Sequence, residues 1–121
     1  MRDYRLPDAG EAEEGMNRRL EVRIADVIAT IDSKHRESGM DMNERPILDR
    51  QVFAFSEEAG EVAGAYRRLY HNARRPGTKQ ELQHEIADAL ITLHVLCVRM
   101  GLAPEVLMHD KLDIIEARGG R

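Results

Sequence analysis

At 121 residues the chain is long enough for one domain with a buried core. Charged residues make up 33%, aromatics only 4%, and tryptophan is absent, which fits a helical protein with an aliphatic core and excludes a disordered chain. The net charge of -4 gives no reason to expect a nucleic-acid polymer as partner, and a single cysteine, Cys97, excludes a disulfide framework.

Taken in order, residues 1–15 are polar and acidic, with Pro7, Gly10 and Gly15, and read as a flexible arm. The arm lacks the apolar stretch of a signal peptide. Residues 16–121 read as one all-α domain. Its first helix is expected from about Met16 to Glu37, with Leu20, Ile24, Val27, Ile28 and Ile31 recurring at steps of three and four. Ser38-Gly39 should end it, and residues 40–45 form a polar linker.

A second helix is expected from near Pro46 to His71-Asn72. Its apolar stripe is Leu48, Val52, Phe55, Ala59, Val62, Tyr66 and Leu69. With about 100° per residue, Glu58 falls at the edge of this stripe, Glu61 just beyond it and Glu57 nearly opposite. Ala54 and Ala65 flank Glu58 and Glu61 and leave room for a ligand or a close partner helix. Phe55, Tyr66 and Tyr70 are expected to pack in the core.

The segment Ala73-Arg74-Arg75-Pro76-Gly77 is a basic loop. Thr78 and Glu81 form a capping box that opens a third helix, running to Met100. Its second half, Ala89–Val98, is apolar almost all round. That predicts a central position plus an oligomer interface, with Cys97 a packed thiol and His94 a satisfied core histidine. The run is only about half a membrane span, so a soluble cytoplasmic protein with no membrane partner is expected. Gly101 stops this helix, Pro104 starts a fourth that reaches about Arg118, and the tail 119–121 should fray. No strand-like alternation occurs, so the fold class is all-α, a four-helix-bundle type of chain.

Chemistry concentrates in two acidic clusters, Glu57-Glu58-Ala59-Gly60-Glu61 and Glu85-Ile86-Ala87-Asp88. Positions three apart share a helix face, so Glu58 pairs with Glu61 and Glu85 with Asp88. If the two helices pack antiparallel, four carboxylates meet in one gap. There they repel one another and lose hydration, and a hard divalent cation is the usual remedy. The plain alternative is a solvated acidic face. Two clusters of the same geometry, the second leading straight into an apolar run, argue for a site.

The pattern Glu57-Glu58-x-x-Glu61 followed by Glu85-x-x-Asp88, with residues 62–84 between, resembles the signature of the MazG-like all-α nucleoside triphosphate pyrophosphohydrolases. Lys111 and Arg118 stand where that family often carries a C-terminal Lys and Arg, but Ile115 replaces the usual Asn. The resemblance covers about residues 46–118. It implies hydrolysis of an NTP or dNTP between the α and β phosphates, giving a nucleoside monophosphate and pyrophosphate. Glu58, Glu61, Glu85 and Asp88 would hold Mg²⁺, for which Mn²⁺ can substitute, and Glu57 is the spare carboxylate for positioning water. Lys111 and Arg118, with Arg74 and Arg75 in the basic loop, are the cations for the phosphates. A homodimer or homotetramer is expected.

A close rival is phosphoribosyl-ATP pyrophosphohydrolase, which the stretch Ala87–Leu96 also resembles. A rival of another class is a non-catalytic helical interaction module. The absence of Glu-x-x-His argues against a di-iron bundle, and the absence of a Gly-rich phosphate loop excludes a P-loop NTPase.

Overall fold

The computed structural model describes residues 8–11, 19–71 and 74–120. The expected start of the first helix at Met16, Asn72 and Ala73 of the basic loop, Arg121, and most of the expected arm lie outside the described residues. Within the arm, residues 9–11 make a single helical turn, with the Glu11 amide donating to Asp8 Oδ1 at 2.8 Å.

Four main helices follow in order: α1 (Leu20–Glu37), α2 (Glu44–Tyr70), α3 (Lys79–Arg99) and α4 (Pro104–Ala117). No strand occurs among the described residues. Each boundary has a local cause. At the end of α1, Gly39 takes φ +74 and donates to Arg36 O, while Met40 donates to His35 O; the orphan carbonyls of the last turn are thereby satisfied. Gly101, at φ +72, does the same after α3, with Leu102 N–H reaching Cys97 O at 2.8 Å. Asp41 fixes the entry to α2: its carboxylate accepts from Asn43 N and Nδ2, and its carbonyl accepts from Arg50 Nη2 at 2.7 Å.

Two local expectations are corrected. The capping box at α3 is only half formed. Thr78 Oγ1 accepts from the Glu81 amide at 3.1 Å, but the Glu81 carboxylate turns toward Arg68 and Arg75, 4.0 and 3.9 Å away, because those cations compete for it. The tail does not fray at Gly119 and Gly120, whose amides close α4 onto Glu116 O and Ile115 O.

α2 and α3 pack along each other as an antiparallel hairpin, and α1 and α4 lie more lightly against α3. The central position expected for α3 is therefore observed. Among the described residues, however, the bundle does not close within one chain. Between α3 and α4 the chain bends by 102°. The buried apolar side chains among the described residues are Ile24, Ala65 and Val95. Leu90, 65% exposed, with Ile86, Ile91, Leu93 and Val98, shows that α3 is not covered on every side.

The stripe expected on α2 is also turned. Leu48, Phe55, Val62 and Leu69 of that stripe are half-buried, but Val52, Ala59 and Tyr66 face outward, and the line toward α3 is Gln51, Glu58 and Ala65, seven residues apart. Tyr66 and Tyr70 are exposed, their rings in tilted contact with centroids 4.9 Å apart, instead of entering a core; Phe55 and Cys97 are half-buried. The reason is that the hairpin seam is polar. Near the loop, Arg68 and Glu81 face each other. At the far end, Gln51 Nε2 donates to Thr92 O at 2.8 Å and Gln51 Oε1 accepts from Arg99 Nε at 3.3 Å. Arg99 continues to α1, its guanidinium donating to both carboxylate oxygens of Asp32 at 2.8 and 3.3 Å. These directional bonds orient the first three helices toward one another.

The hydrogen bonds from Arg99 outweigh partial desolvation and hold the Asp32 carboxyl below its ordinary 3.8. A depressed carboxylate contributes stability above its unfolded pKa and loses it as pH falls through the folded one. Asp32→Asn is therefore expected to cost about 1–2 kcal/mol near pH 7. Urea unfolding should show the gap between variant and wild type closing as pH drops below 3.8.

Candidate metal centre

Between the two polar ends of the seam, Glu58 of α2 meets Glu85 and Asp88 of α3. One carboxylate oxygen from each lies within 4.8 Å of the others. Glu58 reaches the gap because it sits on the inward line with Gln51 and Ala65. Glu85 and Asp88 reach it together because three residues of helix separate positions on one face. Glu85 is 1% exposed, the largest fully buried side chain among the described residues. One oxygen of Glu58 and one of Glu85 are sealed from water. Glu58 and Asp88 are otherwise half-buried.

The frame around the trio is fixed on both sides. Toward the loop, the charges of Arg68 and Glu81 face each other at 4.0 Å, and Gly77 N–H donates to Arg68 O at 3.0 Å. A Cβ on Gly77 would lie 2.9 Å from Arg68 Cβ, so only glycine lets the loop lie this close to α2. Toward the other end, the Thr92 hydroxyl donates to the carbonyls of Asp88 and Ala89, and Gln51 ties Thr92 to α2.

The structure thus brings together Glu58, Glu85 and Asp88 of the acids singled out in the sequence. Glu61 is half-buried one turn on and is not part of the trio; Glu57 is exposed. Glu58, Glu61, His84, Glu85 and Asp88 all take part in polar or electrostatic interactions within the fold. Arg74 and Arg75 are exposed in the loop, Arg75 beside Glu81. Lys111 is exposed on α4 and Arg118 just past its end, both beyond the 102° bend.

Sequence reasoning missed Gln51, Arg99 and Asp32. A signal was present: Gln51, Glu58 and Ala65 are spaced by seven, as are Glu85, Thr92 and Arg99, the repeat of a two-helix seam.

Chemically, the trio is a set of hard oxygen donors with no sulfur or imidazole among them. That suits Mg²⁺ or Mn²⁺ and not a structural zinc. Three carboxylates this close, one wholly buried, repel one another, and a divalent cation would offset that cost. Among the described residues no single helix is long and apolar enough to cross a membrane. No family model, no curated protein and no solved structure matches this chain.

This donor set predicts linkage between cation and stability. Mg²⁺ should raise the melting midpoint of the wild type. Glu85→Gln, which removes one of the like charges, should melt higher than wild type in EDTA and lose the Mg²⁺ shift. Scanning fluorimetry with and without the cation reads both effects.

Proposed function

We propose that this chain is a Mg²⁺-dependent nucleotide pyrophosphohydrolase of the MazG-like kind. It cleaves an NTP or dNTP between the α and β phosphates, releasing a nucleoside monophosphate and pyrophosphate. The observation that carries this reading is the convergence of Glu58, Glu85 and Asp88 within 4.8 Å in a partly dry seam. The order of the acidic helices and the match at Lys111 and Arg118 support it.

In this reading Glu58, Glu85 and Asp88 hold the cation, and Glu61 joins them from the next turn. Mg²⁺, when bound, offsets charge on the phosphate oxygens as the bond to the leaving group breaks. Gln51 Nε2, donating to Thr92 O, ties α2 to α3 beside these carboxylates. Glu57, exposed on α2 next in sequence to Glu58, is the spare carboxylate that would orient a water. Oxygen from water joins the α-phosphorus, the α–β bridge breaks and pyrophosphate leaves. Arg74 and Arg75 meet the outer phosphates from the loop, and Lys111 and Arg118 do so from α4.

Assembly as a homodimer or homotetramer is part of the proposal. Its support is the apolar surface left open on α2, α3 and α4, with Phe53 70% exposed and Leu90 65% exposed. The same surface favours a second reading, a helical interaction module without catalysis, in which the acids serve only for solubility.

The deciding assay is pyrophosphate release from a panel of NTPs and dNTPs with Mg²⁺, Mn²⁺ or EDTA. Metal-dependent release is expected, and Glu58→Gln and Asp88→Asn should each lower it by about 100-fold or more. No release by folded protein from any nucleotide would leave the interaction module or a phosphoribosyl-ATP enzyme. Leu90→Glu should keep its helical circular dichroism while light scattering shows the mass falling to that of one chain. An unchanged mass would remove α3 from the interface.

A further inference from the structure

Gln51 and Glu85 are the buried polar or charged side chains among the described residues, and both lie in the seam between α2 and α3. Glu85 belongs to the acidic trio, and Gln51 stands two turns from Glu58 along α2. Its amide is engaged at both ends. Nε2 donates to Thr92 O at 2.8 Å, and Oε1 accepts from Arg99 Nε at 3.3 Å. Asp32 holds the Arg99 guanidinium from α1.

The spacing links Gln51 to the trio. Gln51 meets Thr92 across the seam, and Glu58 meets Glu85. Glu58 stands seven residues after Gln51, and Glu85 seven before Thr92. In an antiparallel hairpin these are successive pairs of one register, so the bond at Gln51 and the meeting of the acids are one alignment. Thr92 is also tied to the turn that bears Asp88, its hydroxyl donating to Asp88 O and Ala89 O at 3.0 Å.

Other forces hold this alignment less firmly. The like charges of Glu58, Glu85 and Asp88 work against it. Packing beside Gln51 is loose, with a cavity of about 300 Å³ lined by Ile31, Ile47, Ala54 and Thr92 against it. At the loop end, Arg68 and Glu81 face each other at 4.0 Å, beyond hydrogen-bond length. A slip of one residue moves an acid by about 1.5 Å along the helix. Mg²⁺ demands nearly ideal geometry at about 2.0–2.1 Å and tolerates no such shift. A single buried polar side chain between two helices fixes register at a cost in stability.

We propose that Gln51 is a positioning residue for the acidic trio. Its two hydrogen bonds hold α2 against α3 in the register that gives Glu58, Glu85 and Asp88 their cation affinity. The proposal rests on the metal-dependent hydrolase reading and assigns Gln51 no contact with cation or nucleotide. A buried amide adds little net stability over an apolar side chain of its size. Loss of Gln51 therefore weakens cation binding without a matching loss of stability.

The test uses two variants. Gln51→Met fills a similar volume and makes neither bond. Gln51→Glu keeps the length and the contact with Arg99 but offers Thr92 O an acceptor instead of a donor. Its added charge alone would tighten Mg²⁺ binding, so weaker binding there isolates the lost donor. Calorimetric titration of the metal-free full chain with Mg²⁺ reads affinity, circular dichroism reads the fold, and melts in EDTA read stability. Both variants are expected to bind Mg²⁺ about tenfold more weakly than wild type. The midpoint of Gln51→Met in EDTA should stay within about 5 °C of wild type. Less than about threefold weakening in folded Gln51→Met would overturn the proposal and leave the hydrolase reading standing. So would wild-type affinity or better in Gln51→Glu, which decides alone if Gln51→Met does not fold. A wild type that neither binds Mg²⁺ nor releases pyrophosphate from any nucleotide would sink the hydrolase reading, and the proposal with it.

Discussion

Glu85 is a carboxylate where a helical hairpin ordinarily keeps a leucine. It is fully buried between α2 and α3, with Glu58 and Asp88 within 4.8 Å. Burying charge is costly unless partners compensate, so the surrounding seam has to hold such residues in place. It does so with further polar residues. The opposite charges of Arg68 and Glu81 face each other on one side of the trio, and hydrogen bonds among Gln51, Thr92 and Arg99 join the helices on the other. Asp32 then extends the second set to α1. The positions of three helices follow from one polar seam.

That seam changes where the apolar surface goes. The inward lines of α2 and α3 are largely given to Gln51, Glu58, Glu85, Thr92 and Arg99, so Val52, Phe53, Tyr66, Ile86 and Leu90 are turned outward. A single chain keeps few apolar side chains fully buried, and α4 leaves α3 at 102° without closing a bundle. The polar interior and the apolar exterior are thus two sides of one arrangement. In the proposed assembly, partner subunits supply the hydrophobic burial that the hairpin interior forgoes.

The same arrangement sets the spacing of features along the seam. The acidic trio is suited to phosphate and cation. The cavity one turn away is lined by Ile31, Ile47, Ala54 and Thr92. Both are held by α2 and α3, so their spacing is fixed by the helix rise and not by loops.

The sequence by itself determined the helices and their ends. Gly39 and Gly101 stop helices because each adopts positive φ, and Pro104 begins one because its missing N–H costs nothing in a first turn. The i, i+3 pairing of Glu85 with Asp88 was equally local, since it depends only on helical pitch. The rotation of α2 was not local. Apolar periodicity pointed to Val52 and Tyr66 as inward, whereas Gln51 and Glu58 occupy the seam. α3 is apolar nearly all round, so hydrophobicity cannot say which of its faces meets α2; hydrogen bonds between residues 41 to 67 positions apart decide it. Only the tertiary structure chose Glu58 and left Glu61 outside the trio, and only it joined Asp32 to Arg99, because both depend on how the helices are turned toward one another.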